Sequence, residues 1–147
     1  MRPAGLKYTE THEWVKIESK DIAVIGITDY AVSQLSDLVH VELPKVGEKV
    51  EQGSAFGEIE SVKTVSELIS PFTGKIAEIN KDAVKDLDLI SEEPFEDGWL
   101  VKIKYTDSDE LDSLMTGEEY KEFIEASEAE EEGKKEGEED VDEEDFV

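Results

Sequence analysis

The chain contains no cysteine. Disulfides, thiol nucleophiles and cysteine-ligated metals are therefore excluded. Basic residues are scarce: 15 Lys and Arg stand against 40 Asp and Glu, a formal net charge of −25 over 147 residues. Phosphate backbones and anionic lipid headgroups are held by basic faces, so this balance argues against nucleic acid and membrane surfaces as partners. No apolar run approaches the length of a spanning helix. The five residues before Leu6 are too few for a signal or transit peptide, and a cytoplasmic protein is expected. Histidine is limited to His12 and His40, far apart and without a second spaced ligand, so no metal site is expected. The hydrophobic fraction, 37%, is enough for one modest core.

The acidity is uneven. Residues 128–147 hold twelve Asp and Glu, two Lys and almost nothing apolar. Such a segment repels itself and has too little to bury, so it reads as a disordered tail. Residues 1–127 keep 28 acidic and 13 basic side chains and read as one acidic domain.

Within that domain the dominant period is two. Glu13 to Ile17 alternates, with Trp14 and Lys16 on one side and Val15 and Ile17 on the other. Asp21–Ile27 is a β-branched run, and Asp37–Leu43 alternates Val39, Val41 and Leu43 against His40 and Glu42. Ser54–Glu60, Val65–Ile69, Gly74–Ile79 and Trp99–Tyr105 also read as strands, separated by Pro and Gly. Many short strands at this spacing predict an antiparallel sandwich or barrel. Three helical patches interrupt them. Thr28 caps a turn or two through Leu35, Ser108 opens a short helix through Met115, and Thr116-x-x-Glu119 is a capping box. The last helix carries Tyr120, Phe123 and Ile124 on one face, a packing stripe.

The stretch 46–76 carries the chemistry. Gly47 and Gly53 suit tight turns, Phe56 and Ile59 point inward, and Pro71 and Gly74 turn the chain again. Lys63 falls near the tip of the hairpin between them. A lysine at a hairpin tip is ordinarily a solvated charge. A swinging prosthetic group, however, needs a lysine displayed on a rigid turn held by sheet on both sides, and this framework meets that need.

The glycine and apolar framework around Lys63 resembles the biotinyl and lipoyl carrier domains. Biotinyl carriers flank the lysine with methionines, where Val62 and Thr64 stand here, and lipoyl domains of the 2-oxoacid dehydrogenases carry Asp-Lys-Ala, which is also absent. Glu60-Ser61-Val62-Lys63 is similar to the glycine cleavage system H proteins. So are Tyr8–Val15, Val24–Ala31, Val41–Gly47, Ser70–Ile76, Pro94–Leu100 and Glu118–Tyr120, over about residues 6–126. Leu87 and Ser91 depart from the family pattern in the loop before Pro94, and the acidic tail is no part of it.

The resemblance implies a mainly β fold, a barrel-sandwich hybrid of two antiparallel sheets with short peripheral helices and a C-terminal helix. It implies a monomeric, non-catalytic carrier with lipoic acid in amide linkage to Lys63. Glu60, Ser61, Val62 and Glu67 would be read by the lipoyl ligase or transferase. Implied partners are a pyridoxal-phosphate glycine decarboxylase, a tetrahydrofolate-dependent aminomethyltransferase and dihydrolipoamide dehydrogenase. The loaded arm would fold into a cleft at Thr11, Glu13, Tyr30 and Glu67. Glu67 is commonly Asp and Tyr30 often His in the family. Competing readings are a carrier that relays lipoyl groups to other proteins, an enzyme using Lys63 as a Schiff-base nucleophile, and an unmodified acidic scaffold acting through its tail.

Overall fold

In a computed structural model of the chain, residues 2–129 are described. Two antiparallel sheets enclose the core. The strands of the first are β1 (Lys7–Tyr8), β2 (Glu13–Ile17), β3 (Ile22–Ile27), β5 (Lys49–Val50), β8 (Gly74–Ile79) and β9 (Val101–Tyr105), in the order β1-β2-β3-β9-β8-β5. The second holds β4 (Leu38–Glu42), β6 (Ala55–Ser61) and β7 (Val65–Ile69), in the order β4-β6-β7. Helices α1 (Asp29–Leu35), α2 (Lys81–Lys85) and α3 (Asp88–Glu92), a 3₁₀ turn at Ser108–Ser113 and a last helix, α4 (117–129), lie at the periphery. The architecture agrees with the mainly β, two-sheet fold expected from the sequence. The acidic tail lies outside the described residues apart from positions 128 and 129, which continue α4.

Hydrophobic burial between the sheets drives this arrangement. Val15, Ile25 and Ile27 of the first sheet meet Val41, Ile59 and Leu68 of the second, and Phe72, Ile90 and Leu100 join the same cluster. Both faces of β2 are covered over Glu13, Trp14 and Val15, while Lys16 and Ile17 are exposed. Its other face carries Trp14, which joins Tyr8, Val24, Tyr120 and Ile124 in a second cluster beneath α4. Gly26 makes room for Trp14, since a Cβ there would lie 2.6 Å from the indole.

Four local readings change. Val39 was expected to face inward with Val41. A bulge between Leu38 and His40 shifts the register and leaves it 47% exposed. The Ser108 segment is a 3₁₀ turn rather than an α-helix, and its cap is Asp107, whose side chain accepts from the Asp109 N–H. Gly74 opens β8, as the strand reading of Gly74–Ile79 has it, and does not make the turn also read there. Its backbone passes so close to the Lys104 carbonyl that a Cβ would sit at 2.1 Å. The loop before Pro94 contains α2 and α3, which were not anticipated; α3 inserts Ile90 into the core. The Thr28 cap and the Thr116–Glu119 capping box form as expected.

Candidate functional site

β6 and β7 pair in antiparallel register, from Glu60 opposite Val65 back to Ala55 opposite Ile69, and residues 62–64 connect them. Ser61 organises this connection. Its side chain is buried, and its hydroxyl oxygen accepts from the backbone N–H groups of Lys63 and Thr64, both at 3.2 Å. The Ser61 N–H donates to the Thr64 carbonyl at 2.8 Å, closing the turn. The Val62 N–H donates to the Asp37 carbonyl at 3.0 Å and anchors the turn to the start of β4. Lys63 emerges from this framework exposed and makes no ion pair among the described residues.

The neighbours expected to mark the lysine divide into two kinds. Val62 is 65% exposed, and Glu60 and Glu67 are exposed, available to a modifying protein. Ser61 faces its own turn, so its contribution is to the shape of the display.

Along β7, on the chain leading away from Lys63, a cleft of about 130 Å³ opens between the sheets and α1. Thr11, Glu13 and Glu67 line it, three of the four residues expected there. The fourth, Tyr30, packs its ring against His12, a lining residue, at 4.9 Å between centroids. Ile27, Ala31, Leu35 and Ile59 supply an apolar wall. A larger groove, about 550 Å³, runs along β5 and β8, but it shares no residue with the lysine turn or with the buried carboxylate.

Glu13 is the chemical centre of the cleft. It is 1% exposed, and the alternation of β2 places it on the same face as the core residue Val15. Thr9 donates to Oε1 at 2.6 Å, and Thr11 donates to the same oxygen. Oε2 accepts the Ile69 N–H at 3.1 Å, a bond that crosses from the first sheet to the second. Burial pushes the Glu13 carboxyl above the ordinary range, opposed by the hydroxyls of Thr11 and Thr9 and by the backbone N–H of Ile69. All these partners are neutral, and no ion pair among the described residues reaches this carboxylate. A buried carboxylate held by neutral donors would be stabilised further by a cation, and the cleft beside it is the route by which one could arrive.

No group of three or more His, Asp or Glu among the described residues is placed to hold a metal ion. No helix among them is long and apolar enough to cross a membrane.

Comparison with known proteins agrees with this geometry. The family model for the glycine cleavage H-protein matches residues 6–127. A glycine cleavage system H protein of Staphylococcus haemolyticus is 45% identical over 122 residues, covering 83% of this chain and 96% of that one. Its counterpart in Halalkalibacterium halodurans is 47% identical, covering 83% and 94%. The crystal structure of a glycine cleavage system H protein from Mycobacterium marinum superposes with a TM-score of 0.73 at 41% identity, covering 81% of this chain and 95% of that one. A match across most of the folded sequence, joined to a lysine displayed on a hairpin, leads to one conclusion: the chain belongs to the glycine cleavage H-protein family.

Proposed function

We propose that the protein is the lipoyl-carrying shuttle of a glycine cleavage system, with lipoic acid attached to Lys63. It is a carrier subunit rather than a catalyst. When bound, the lipoyl group supplies a disulfide able to take up the aminomethyl unit of glycine and give it on for transfer to tetrahydrofolate. The partners are the pyridoxal-phosphate decarboxylase, the aminomethyltransferase, dihydrolipoamide dehydrogenase and the ligase or transferase that attaches the arm.

The observation that carries this reading is reach. β7 advances about 3.3 Å per residue, so Ser66 to Leu68, on the cleft wall, lie roughly 10–17 Å along the strand from Lys63. A lipoyl-lysine arm has about a dozen bonds between Cα and the ring, or ~14 Å extended at a little over 1 Å per bond. The cleft is therefore within range of the arm, with apolar residues along its wall and a carboxylate at its floor. Glu13 and Glu67 offer acceptors to an amine on the arm; Thr9, Thr11 and the Ile69 N–H hold the Glu13 carboxylate in place.

Intact mass after co-expression with a lipoyl ligase tests the attachment. One lipoyl increment is expected, and Lys63→Ala should remove it. An increment that survives this substitution, or none in the parent protein, refutes the assignment. Cleft occupancy is tested separately: Glu13→Ala should speed loss of formaldehyde and ammonia from the loaded protein.

A further inference from the structure

Strand pairing fixes part of the cleft, with Glu13 opposite Ile27 and Ile59 opposite Ser66, and the Thr28 N–H donates to the His12 carbonyl at 3.0 Å. The Thr9–Glu13 turn forms one side and α1 another. Between them, outside the cleft, stands the hydroxyl of Tyr120, a fully buried residue of α4. It lies 2.8 Å from His12 Nδ1 and 2.7 Å from Thr28 Oγ1. His12 lines the cleft next to Glu13 and adopts a positive φ of 72°, a conformation uncommon outside glycine, asparagine, aspartate and histidine. Thr28 is the N-cap of α1, accepting the Ala31 N–H at 3.2 Å, and α1 gives Ala31, Gln34 and Leu35 to the cleft.

We propose that Tyr120 is a positioning residue for the arm cleft: beside the backbone bond between His12 and Thr28, its hydroxyl ties the His12 ring and the Thr28 side chain to α4, so that the C-terminal helix fixes the orientation of the two walls. This rests on the reading of the cleft as the seat of the arm.

Proton accounting gives the strap a direction. Thr28 Oγ1 already accepts the Ala31 N–H, and its own proton needs an acceptor in a fully buried site. The Tyr120 oxygen is that acceptor. Tyr120 then donates to His12 Nδ1, and His12 carries its proton on Nε2. The reverse order would leave the Thr28 hydroxyl proton without a partner among the described residues. The seating of α4 does not depend on this hydroxyl. The Tyr120 ring stacks on Tyr8 at 4.5 Å with 3° between planes, and the Arg2 guanidinium lies 5.2 Å from its centroid.

Tyr120→Phe keeps the ring and removes the strap. In the unlipoylated full chain, ¹⁵N spectra of the His12 imidazole should show the Nε2–H form in the parent and a mixture in the variant. Hydrogen exchange at the Ala31 and Ile69 amides should rise roughly two- to tenfold, the factor one net hydrogen bond represents, while α4 amides keep their protection. Thr28→Ser, which retains the hydroxyl, should match the parent; Thr28→Val should follow Tyr120→Phe. An unchanged His12 signature and unchanged cleft amides overturn the proposal. So does a change confined to α4, which would reduce Tyr120 to a packing residue. Release from the loaded protein separates the two layers. If Glu13→Ala accelerates release and Tyr120→Phe does not, the positioning role fails and the cleft stands. If Glu13→Ala is silent, the cleft reading fails, and positioning of an arm seat fails with it.

Discussion

The turn that displays Lys63 depends on one buried hydroxyl, and its removal has a calculable consequence. Ser61→Ala deletes the acceptor shared by the Lys63 and Thr64 N–H groups. A net hydrogen bond contributes about 0.5–1.5 kcal/mol, and both N–H groups sit at an exposed turn where water can replace the lost acceptor. The two together should therefore cost about 1–2 kcal/mol rather than the larger penalty of a buried orphan. For a folded unit of this size that lowers Tm by about 3–10 °C. If Lys63 carries the proposed lipoyl group, the effect on lipoylation should exceed the stability loss, because the weakened segment is the one that displays that lysine. Differential scanning calorimetry and a lipoylation time course followed by intact mass measure the two effects together. Glu60→Ala is the informative companion. Glu60 is exposed and opposite Val65, so its loss should leave Tm unchanged and alter only recognition. If Ser61→Ala melts with the parent and is lipoylated at the parental rate, the hydroxyl does not organise the turn and the display argument loses its physical basis.

Other consequences can be checked independently. Gly26→Ala places a Cβ 2.6 Å from the Trp14 indole, whose Nε1–H donates to the Pro94 carbonyl at 2.8 Å; displacement of the ring should cost about 1–3 kcal/mol and shift tryptophan fluorescence to the red. Tyr8 is 1% exposed and its hydroxyl has no hydrogen-bond partner among the described residues; Tyr8→Phe should be neutral or stabilise by up to about 1 kcal/mol in urea titrations, and a clear loss would reveal a partner such as a bound water. Burial raises the Glu13 carboxyl in the folded protein, so the native state binds its proton more tightly than the unfolded chain does. Its contribution to stability is therefore full below the ordinary glutamate value of 4.5 and declines as pH rises toward its own higher value. Urea midpoints of the parent minus those of Glu13→Gln should fall across that window; a difference that is flat or rises would contradict the assignment. Burial lowers His12 from 6.5, so it acts in the opposite sense: its contribution is present above that value and is lost as pH falls through its depressed folded one.

The strands were legible where one physical cause acted alone. Val65–Ile69 and Gly74–Ile79 are bounded by turn residues at both ends and match the structure residue for residue. α2 and α3 have five residues each, too few for a 3.6-residue period to register, and their placement is set from elsewhere. Asn80 caps α2 while its amide donates to the carbonyls of Asp97 and Trp99, nearly twenty residues downstream. Val39 departs from the pattern because the bulge between Leu38 and His40 interrupts the alternation there, while Val41, after it, is buried as the alternation expects. The pattern of β2 misleads for another reason. Alternation implies one wet face, yet α4 and the Phe95 segment cover that face, so Glu13, Trp14 and Val15 are all buried in succession.

The candidate site divides along the same line. Lys63 could be found from sequence because most of what displays it is local: two strands, a three-residue connection and a serine next to the turn, with the Val62 N–H bond to the Asp37 carbonyl as the exception. The cleft could not be assembled in that way. Its walls come from positions 11–13, 27–35, 59 and 66–68; strand pairing sets Glu13 opposite Ile27 and Ile59 opposite Ser66, and single bonds spanning long stretches of chain join the two sheets and α4 to them. The Glu13 carboxylate reaches the Ile69 N–H across 56 residues, and the Tyr120 hydroxyl reaches His12 across 108 and Thr28 across 92. Each of these bonds uses a buried polar group, which costs free energy to desolvate whether or not it has a task. Hydrophobic packing alone would have closed this end of the sandwich without a carboxylate, as it does around Phe72 and Leu100. Retaining a charge-bearing group here lowers the stability of the empty protein at neutral pH and leaves an acceptor waiting for a cation. The acid form of Glu13 is the better core residue, and the ionised form is the better receptor. An amine entering the cleft should therefore draw the Glu13 pKa back down, and that coupling can be followed by titrating the carboxyl carbon with and without the loaded arm.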